Sequence, residues 1–598
     1  MHCGFTQSLE QIMSSENNKP LSSGKFLLLS DVHLDPFYGT PNAEIAKQDP
    51  EYKYRCQDKN APPFSSYGCD SSGDLVLSTI INAAQVLPRP DFILYTGDGT
   101  RHSVKAVATK DENATAIVHE SIGFFFDAIH EYFPDVPIVS LPVLDLGNND
   151  FKDDYMLEIT STDPCMIGDN GSLPKATNPW LEDMVNRFPF LFLNDEEASV
   201  FACGGYLFRE IAEDLYIIVL NTVIWSNELN THHDNTVDIK TKNQYEKDIK
   251  FDPFGQHQWL ENILEKLRSN KKKVYITGHI PPMVMSYPPA LGINLMYETH
   301  VHRFYNLVSQ YNDVISGHFF GHVHSNEIRH LPPSILPENH PPMFISGSIS
   351  PCYFTTPFFH IVEYDKGESK FPIDFATYNA DLDNLTTIEL EGSKYVQFSK
   401  LFPSFLKHFN INAFTNSEIR KLSGDFLLGD FALNPIMEQN GTDMNDVYAK
   451  NDELWSKYWN NWHKGLEQPP YYDEFRLKEV CVLACGFTTT SWIGCLMDAN
   501  NARHIKNNIQ CTLPHEAKQV WAINKSKNLR LSWTPLKYKI VSVLIGASFF
   551  MFACWICVSI RKILKRRFTG HTPIKNEVRR ELDNIFDVVE EDDLPALT

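Results

Sequence analysis

Five short apolar runs in this chain each stop at a cluster of Asp, Asn, Gly and His, and that repetition limits the folds open to it. The last run ends in Ser316-Gly317-His318-Phe319-Phe320-Gly321-His322-Val323-His324. A Gly-His-x-His sequence directly after an apolar run reads as a strand ending in a tight loop, where glycine lets the backbone turn and two imidazoles face one space. Upstream, Lys25-Phe26-Leu27-Leu28-Leu29-Ser30 ends at Asp31-Val32-His33, and Asp91-Phe92-Ile93-Leu94-Tyr95-Thr96 ends at Gly97-Asp98. The run 136–140 is followed by Gly147-Asn148-Asn149-Asp150, and Val274-Tyr275-Ile276-Thr277 ends at Gly278-His279. Helical spacing lies between them, over 75–86, 115–132, 256–269 and 298–311; in the third, Trp259, Leu260, Ile263, Leu264 and Leu267 share a face. Strand–loop–helix units with polar residues where the strands stop predict an α/β fold whose site lies at the strand ends. Two histidines at i and i+2 are weak evidence in a chain holding 22 of them. Five such ends in series are not.

The five ends offer Asp31, His33, Asp98, Asn148, His279, His322 and His324, all oxygen or imidazole groups. These suffice for two metal ions with four protein ligands each if one carboxylate bridges. Asp98, on the second strand, is the expected bridge, because two oxygens on one carboxylate can serve both ions and offset their repulsion. A mixed N/O set suits Zn²⁺, Mn²⁺, Co²⁺ or Fe and argues against a Ca²⁺ cage. Two ions about 4 Å apart can share a hydroxide and clamp a phosphoryl group through attack and departure.

The rest of the chain sets the surroundings. At 598 residues, with 43% hydrophobic and 12% aromatic content, it is long enough for two folded units. The formal net charge of −22 argues against a nucleic-acid partner, since phosphate backbones are bound by excess Lys and Arg. Residues 540–560 carry no charge over a length that crosses a bilayer as a helix, and Arg561, Lys562, Lys565, Arg566 and Arg567 follow. That asymmetry places the C-terminal tail in the cytoplasm and the large N-terminal part in a lumen or outside the cell. Residues 1–24 contain no apolar stretch, so export of the N-terminal part calls either for a start further upstream, which the cysteines favour, or for insertion directed by the apolar segment itself. Leaving aside Cys3, Cys554 and Cys557, nine of the 12 cysteines remain. Cys481, Cys485, Cys495 and Cys511 lack paired C-x₂-C zinc spacing and predict two disulfides, Cys56 and Cys69 staple a Pro-rich loop, and one of the nine is left over. The expected organisation is a polar leader 1–24, an α/β domain 25–380, a smaller helical cysteine-bearing domain 381–530, a transmembrane helix 540–560 and a tail 561–598.

The ordered series D-x-H, GD, GN-x-D, GH and GH-x-H resembles the calcineurin-like metallophosphoesterases. Within that family, residues 66–77 (SYGCDSSGDLVL), 252–260 (DPFGQHQWL), 278–282 (GHIPP) and 318–324 (HFFGHVH) resemble the acid sphingomyelinase-like phosphodiesterases and the endopolyphosphatases. The cysteine group over 481–511 resembles the small C-terminal domain of the sphingomyelinase-like branch. The resemblance implies a four-layer α/β/β/α sandwich. It also implies one ion, zinc foremost, on Asp31, His33, Asp98 and His324, and a second on Asp98, Asn148, His279 and His322. A catalytic histidine four residues after the bridging aspartate is implied as well; here it is His102, the general acid for the leaving oxygen. Two positions depart from the pattern. Asn149 stands where most relatives have His, and is expected as a neutral donor to a phosphoryl oxygen. Asn326 stands where Asp is usual, which weakens outer support of the ligands.

The pairing of Arg101 and His102 with the GNND sequence leans toward an endopolyphosphatase, because Arg101 beside the metals would fork onto a neighbouring phosphate. The cysteine-bearing C-terminal part pulls toward the alternative, an acid sphingomyelinase-like phosphodiesterase acting on a phospholipid or nucleotide. A silent membrane receptor that keeps the fold is the rival from another class, favoured by Asn149 alone. The expectation is thus a membrane-anchored, two-metal phosphoric ester or anhydride hydrolase facing a vacuole- or lysosome-like lumen or the outside. Polyphosphate comes first and a phosphodiester second; the sequence leaves the oligomeric state open.

Overall fold

The run that leads to Asp31 forms β1 (Ser23–Leu29), whose last four residues, Phe26 to Leu29, are all buried, as a strand covered on both faces requires. The computed structural model describes residues 22–501, except 41–55, 57, 109–110, 138–143, 169, 230–251, 287–291, 391, 428–452 and 460–472. β1 runs parallel to β2 (Ile93–Tyr95), with Leu29 opposite Tyr95, so Asp31 and Asp98 leave the sheet side by side. A second sheet is built from β3 (Leu207–Ala212), β4 (Leu215–Leu220), β5 (Lys273–Gly278), β6 (Ile315–Phe320), β7 (Glu327–Arg329) and β8 (Met343–Ile345). Its order is β3-β4-β5-β6-β8-β7, with β4, β5, β6 and β8 parallel. His279 and His322 therefore leave neighbouring strands at the same end, and the Gly321 N–H donates to the His279 carbonyl at 2.9 Å. The chain then returns through β9 (Phe358–Asp365) and β10 (Pro372–Asn379), the hairpin of β11 (Thr387–Leu390) and β12 (Ser393–Val396), and β13 (Ser399–Phe402). The first sheet reads β13-β10-β9-β1-β2.

Aromatic side chains join the sheets face to face. The Phe26 ring lies 5.9 Å from Tyr275 and 5.5 Å from Phe319, and Phe344 lies 5.3 Å from His360 and 4.7 Å from Phe375. Helix Gly73–Val86, capped by the Ser72 hydroxyl, lies on the first-sheet side, where Asn82 donates to the Val396 carbonyl at 2.7 Å. Helix Gln256–Ser269 packs on β5 and against helix Glu298–Gln310. The α/β expectation holds, with helices, two sheets and helices in succession.

The expected border at 380/381 is not a structural one. β13 closes the edge of the first sheet by pairing Phe402 with Thr377 of β10, and its SKLF sequence gave no period to mark it as a strand. Beyond it lie helices Phe405–Phe409, Asn416–Leu427, Asp473–Cys485 and Thr489–Asn501. The last two are joined by the Cys481–Cys495 disulfide. They also hold the loop that follows His279: the Val284 N–H donates to the Gly486 carbonyl, and the Thr489 N–H to Asn294 Oδ1, both at 2.8 Å. The staple Cys56–Cys69 is present, Cys165–Cys203 adds a pair that spacing did not reveal, and Cys352 is the leftover thiol among the described residues. No helix among the described residues is long and apolar enough to cross a membrane. The stretch 540–560 lies outside them, as do most of the leader 1–24, Cys511 and the tail 561–598.

Candidate metal centre

The loops after β1, β2, β5 and β6 are stitched to one another before any side chain is considered. Asp31 N–H donates to the Gly97 carbonyl and His33 N–H to the Asp98 carbonyl, each at 3.0 Å, while His322 N–H reaches both Asp31 oxygens at 3.0 and 3.1 Å. Asp150 accepts four main-chain N–H bonds, from Asp98, Gly99, Thr100 and Gly147 at 2.9–3.0 Å, and so locks the GNND turn onto the GD turn. Five of the seven expected ligands, Asp31, His33, Asp98, His322 and His324, sit at positive φ between 42° and 75°. Non-glycine residues adopt that region at a cost of order 1–3 kcal/mol each, and such strain clusters at functional sites. Gly147 is demanded by close approach, because a Cβ there would lie 1.9 Å from Asp98 Oδ1.

The side chains converge. Asp98 Oδ2 lies 3.0 Å from His279 Nε2 and 3.4 Å from His33 Nε2; Asp31 Oδ1 lies 3.4 Å from His324 Nε2 and 3.9 Å from His279 Nε2. Ligand atoms of Asp31, His33 and Asp98 fall within 4.8 Å of one another, as do those of Asp98, His279 and His322, so Asp98 belongs to both groups. Burial alone would raise the Asp31 carboxyl, but His324, His33 and His279 outweigh it and bring it down to about 2. Asp98 is likewise ionised well below the usual range, with burial opposed by His279 and His33.

These residues fit a cation. The outer nitrogens of His33 and His279 donate to the carbonyls of Thr100 and Thr96 at 3.0 and 2.8 Å, which turns each Nε2 lone pair inward. His33 Nε2 then faces His324 Nε2 at 3.0 Å, a contact between two electron-rich atoms that a positive ion relieves. Asn148 Oδ1 is buried without a hydrogen-bond partner, as a carbonyl ligand awaiting an ion would be. His322 Nε2 faces the Tyr155 hydroxyl at 3.4 Å, leaving Nδ1 for the centre.

The other expected site residues divide. His102 stacks on His33 at 3.9 Å, with 25% of its side chain exposed, and its Nδ1 bonds Asp70 Oδ1 at 2.7 Å. Burial pushes the His102 imidazole down, yet Asp70, Cys352 and Tyr353 overcome this and hold its pKa well above the ordinary histidine value. Asn149 donates both its main-chain N–H and its side-chain amide to Asp98, each at 2.8 Å. Arg101 is buried, and its Nε lies 3.4 Å from an Asp35 carboxylate oxygen. Asn326 accepts from the Gly347 N–H at 2.7 Å and so supports the loop after β8. Residue reasoning missed Asp70 and Tyr155. Asp70 lay inside the quoted SYGCDSSGD stretch, whereas Tyr155 carried no signal.

A mixed Asp/Asn/His centre at the parallel strand ends of a two-sheet α/β fold defines a metal-dependent hydrolase. Residues 24–326 match the calcineurin-like phosphoesterase family, and the chain belongs to it. Among named relatives it is 28% identical over 322 residues to sphingomyelinase phosphodiesterase D of Dictyostelium discoideum, covering 53% of this chain and 62% of that one. It is 27% identical over 409 residues to human cyclic GMP-AMP phosphodiesterase SMPDL3A, covering 65% and 77%. Human acid sphingomyelinase-like phosphodiesterase 3b is 26% identical over 375 residues, covering 60% and 71%. The match thus spans under two thirds of the Dictyostelium relative.

Proposed function

We propose that the chain is a two-metal phosphodiesterase, anchored to a membrane, that cleaves a lipid or nucleotide diester. The observation that carries this reading is the convergence of Asp31, His33, Asp98, His279, His322 and His324 beside the partly exposed His102 ring. Two divalent ions, zinc foremost, supply a nucleophile at neutral pH and offset charge on the phosphoryl oxygens when bound there. The protein's own groups do the remainder. Asp70 accepts the Nδ1 proton of His102, which leaves the Nε2 proton turned away from Asp70 for the leaving oxygen. Asn149 holds Asp98 by two hydrogen bonds, and so positions the carboxylate that the two ligand groups share.

Burial of Arg101 beside Asp35 weakens the residue support for polyphosphate. The phosphodiesterase names of the relatives favour the alternative. Anchoring rests on the uncharged stretch 540–560 and its basic flank, and three disulfides fit a lumen or the outside. The test is turnover by the full chain, loaded with Zn²⁺, Mn²⁺ or Co²⁺, on sphingomyelin, a cyclic dinucleotide, bis-p-nitrophenyl phosphate and long-chain polyphosphate. Diester hydrolysis with little shortening of polyphosphate is expected. Polyphosphate shortening without diester turnover would reinstate the other reading, and bound metal with no turnover at all would favour a receptor.

A further inference from the structure

We propose that Asp70, His102 and Cys352 form a third cation site on the rim of the centre, which takes a borderline or soft divalent ion such as Zn²⁺ or Cd²⁺ and shuts the enzyme off by capturing the His102 imidazole. The shut-off rests on His102 being the acid; the site itself does not. The three residues come from three separate segments: the turn after the Cys56–Cys69 staple, the loop after β2 and the loop after β8. They bring a carboxylate oxygen, an imidazole nitrogen and a sulfur within 4.8 Å of one another.

Three protein ligands of these types, with a further position left to water, make an open site of the kind zinc accepts. The thiol selects the ion, because sulfur favours Zn²⁺ and Cd²⁺ while Mn²⁺ and Mg²⁺ prefer oxygen. Charge favours it too: a thiolate and a carboxylate balance one divalent ion, so it can sit near other cations without adding net charge. Cys352 is available, since Cys56, Cys69, Cys165, Cys203, Cys481, Cys485 and Cys495 are all disulfide-bonded. Its sulfur also lies 3.5 Å from His324 Nδ1, beside the main centre. Access exists from outside, through the 25%-exposed side chain of His102 and the 36%-exposed Tyr353. Capture expels two protons to solvent, one from the thiol and one from the His102 nitrogen that takes the ion, and so removes the imidazolium that serves as the acid.

The experiment titrates the full chain, loaded with Mn²⁺, with Cd²⁺. A sulfur-to-cadmium ultraviolet absorption and one additional ion per chain should develop together, and hydrolysis of bis-p-nitrophenyl phosphate and an alkyl diester should fall over the same range. Cys352→Ser should remove that absorption and move inhibition, read against its own uninhibited rate, to roughly 10–100-fold higher Cd²⁺. Asp70→Asn should weaken both without removing the sulfur, and circular dichroism checks that either variant is folded. Unchanged absorption and inhibition in Cys352→Ser would overturn the site, placing the metal on thiols elsewhere. Loss of Mn²⁺ in step with Cd²⁺ uptake would overturn it as well. If no phosphodiester is hydrolysed at all, the absorption and the ion count still decide the site, and only the shut-off falls with the hydrolase reading.

Discussion

Asp98 shows how one residue is placed in two groups of ligand atoms at once. Its backbone is held at a φ of 58°, its carboxylate is pressed against Gly147, and both oxygens already accept bonds from Asn149. Six of the expected ligands, Asp31, His33, Asp98, His279, His322 and His324, were easy to pick out because each follows a strand, and strand ends are easy to read. The targets of Asn149 and Arg101 were not, since the partners Asp98 and Asp35 come from other loops and only the fold brings them near. His102 was legible through family resemblance, but its Asp70 partner lies 32 residues away. His102→Gln is predicted to lower kcat on alkyl diesters by about 10²–10⁴-fold, the usual worth of a general acid, with metal content unchanged. The same variant should lose much less on bis-p-nitrophenyl phosphate, whose leaving group needs no proton. Equal losses on both substrates would show that His102 does not donate it.

At the scale of elements, the C-terminal helices were legible as helical and cysteine-bearing, but their docking was not. Helix Asp473–Cys485 puts Glu479 in a buried cluster with Glu327, Arg329 and Tyr458. Arg329 is spent on Glu327 and on the Val284 carbonyl, at 2.7 and 3.1 Å, and Glu479 Oε2 has no hydrogen-bond partner. Burial, reinforced by Glu327 and opposed by Arg329, raises the Glu479 carboxyl well above its usual 4.5. A raised folded pKa means the folded state keeps a proton that the unfolded chain releases. Its contribution is therefore complete below the unfolded value and is lost as pH rises through the folded one. Relative to Glu479→Gln, the native chain should lose up to about 1.4 kcal/mol of unfolding free energy per pH unit from pH 4.5 upward, until the folded carboxyl ionises. Denaturant unfolding of both proteins across pH 5–8 measures it. The comparison cancels buried His318, His330 and His360, lowered to about 3 by burial, whose effect has the opposite sign. Parallel curves for the two proteins would place the proton elsewhere.

At the scale of the whole molecule, two twisted sheets aim their parallel strand ends at one point, and the C-terminal helix pair braces the loop after His279. The α/β class was legible from alternating strand and helix periods. The sheet-closing role of β13 was not, because Ser399–Phe402 passes from exposed to buried without a period, and only the edge of β10 makes it a strand. The centre ties this architecture to chemistry, and its metal content tests the account most directly. The full chain and His322→Ala would be loaded with Mn²⁺, dialysed, and assayed for bound metal and for bis-p-nitrophenyl phosphate hydrolysis before and after chelation. Two ions per native chain, activity that vanishes on chelation and returns with metal, and an inactive variant that has lost an ion are predicted. A native chain that hydrolyses the diester without metal, or a variant with full activity, would contradict the account.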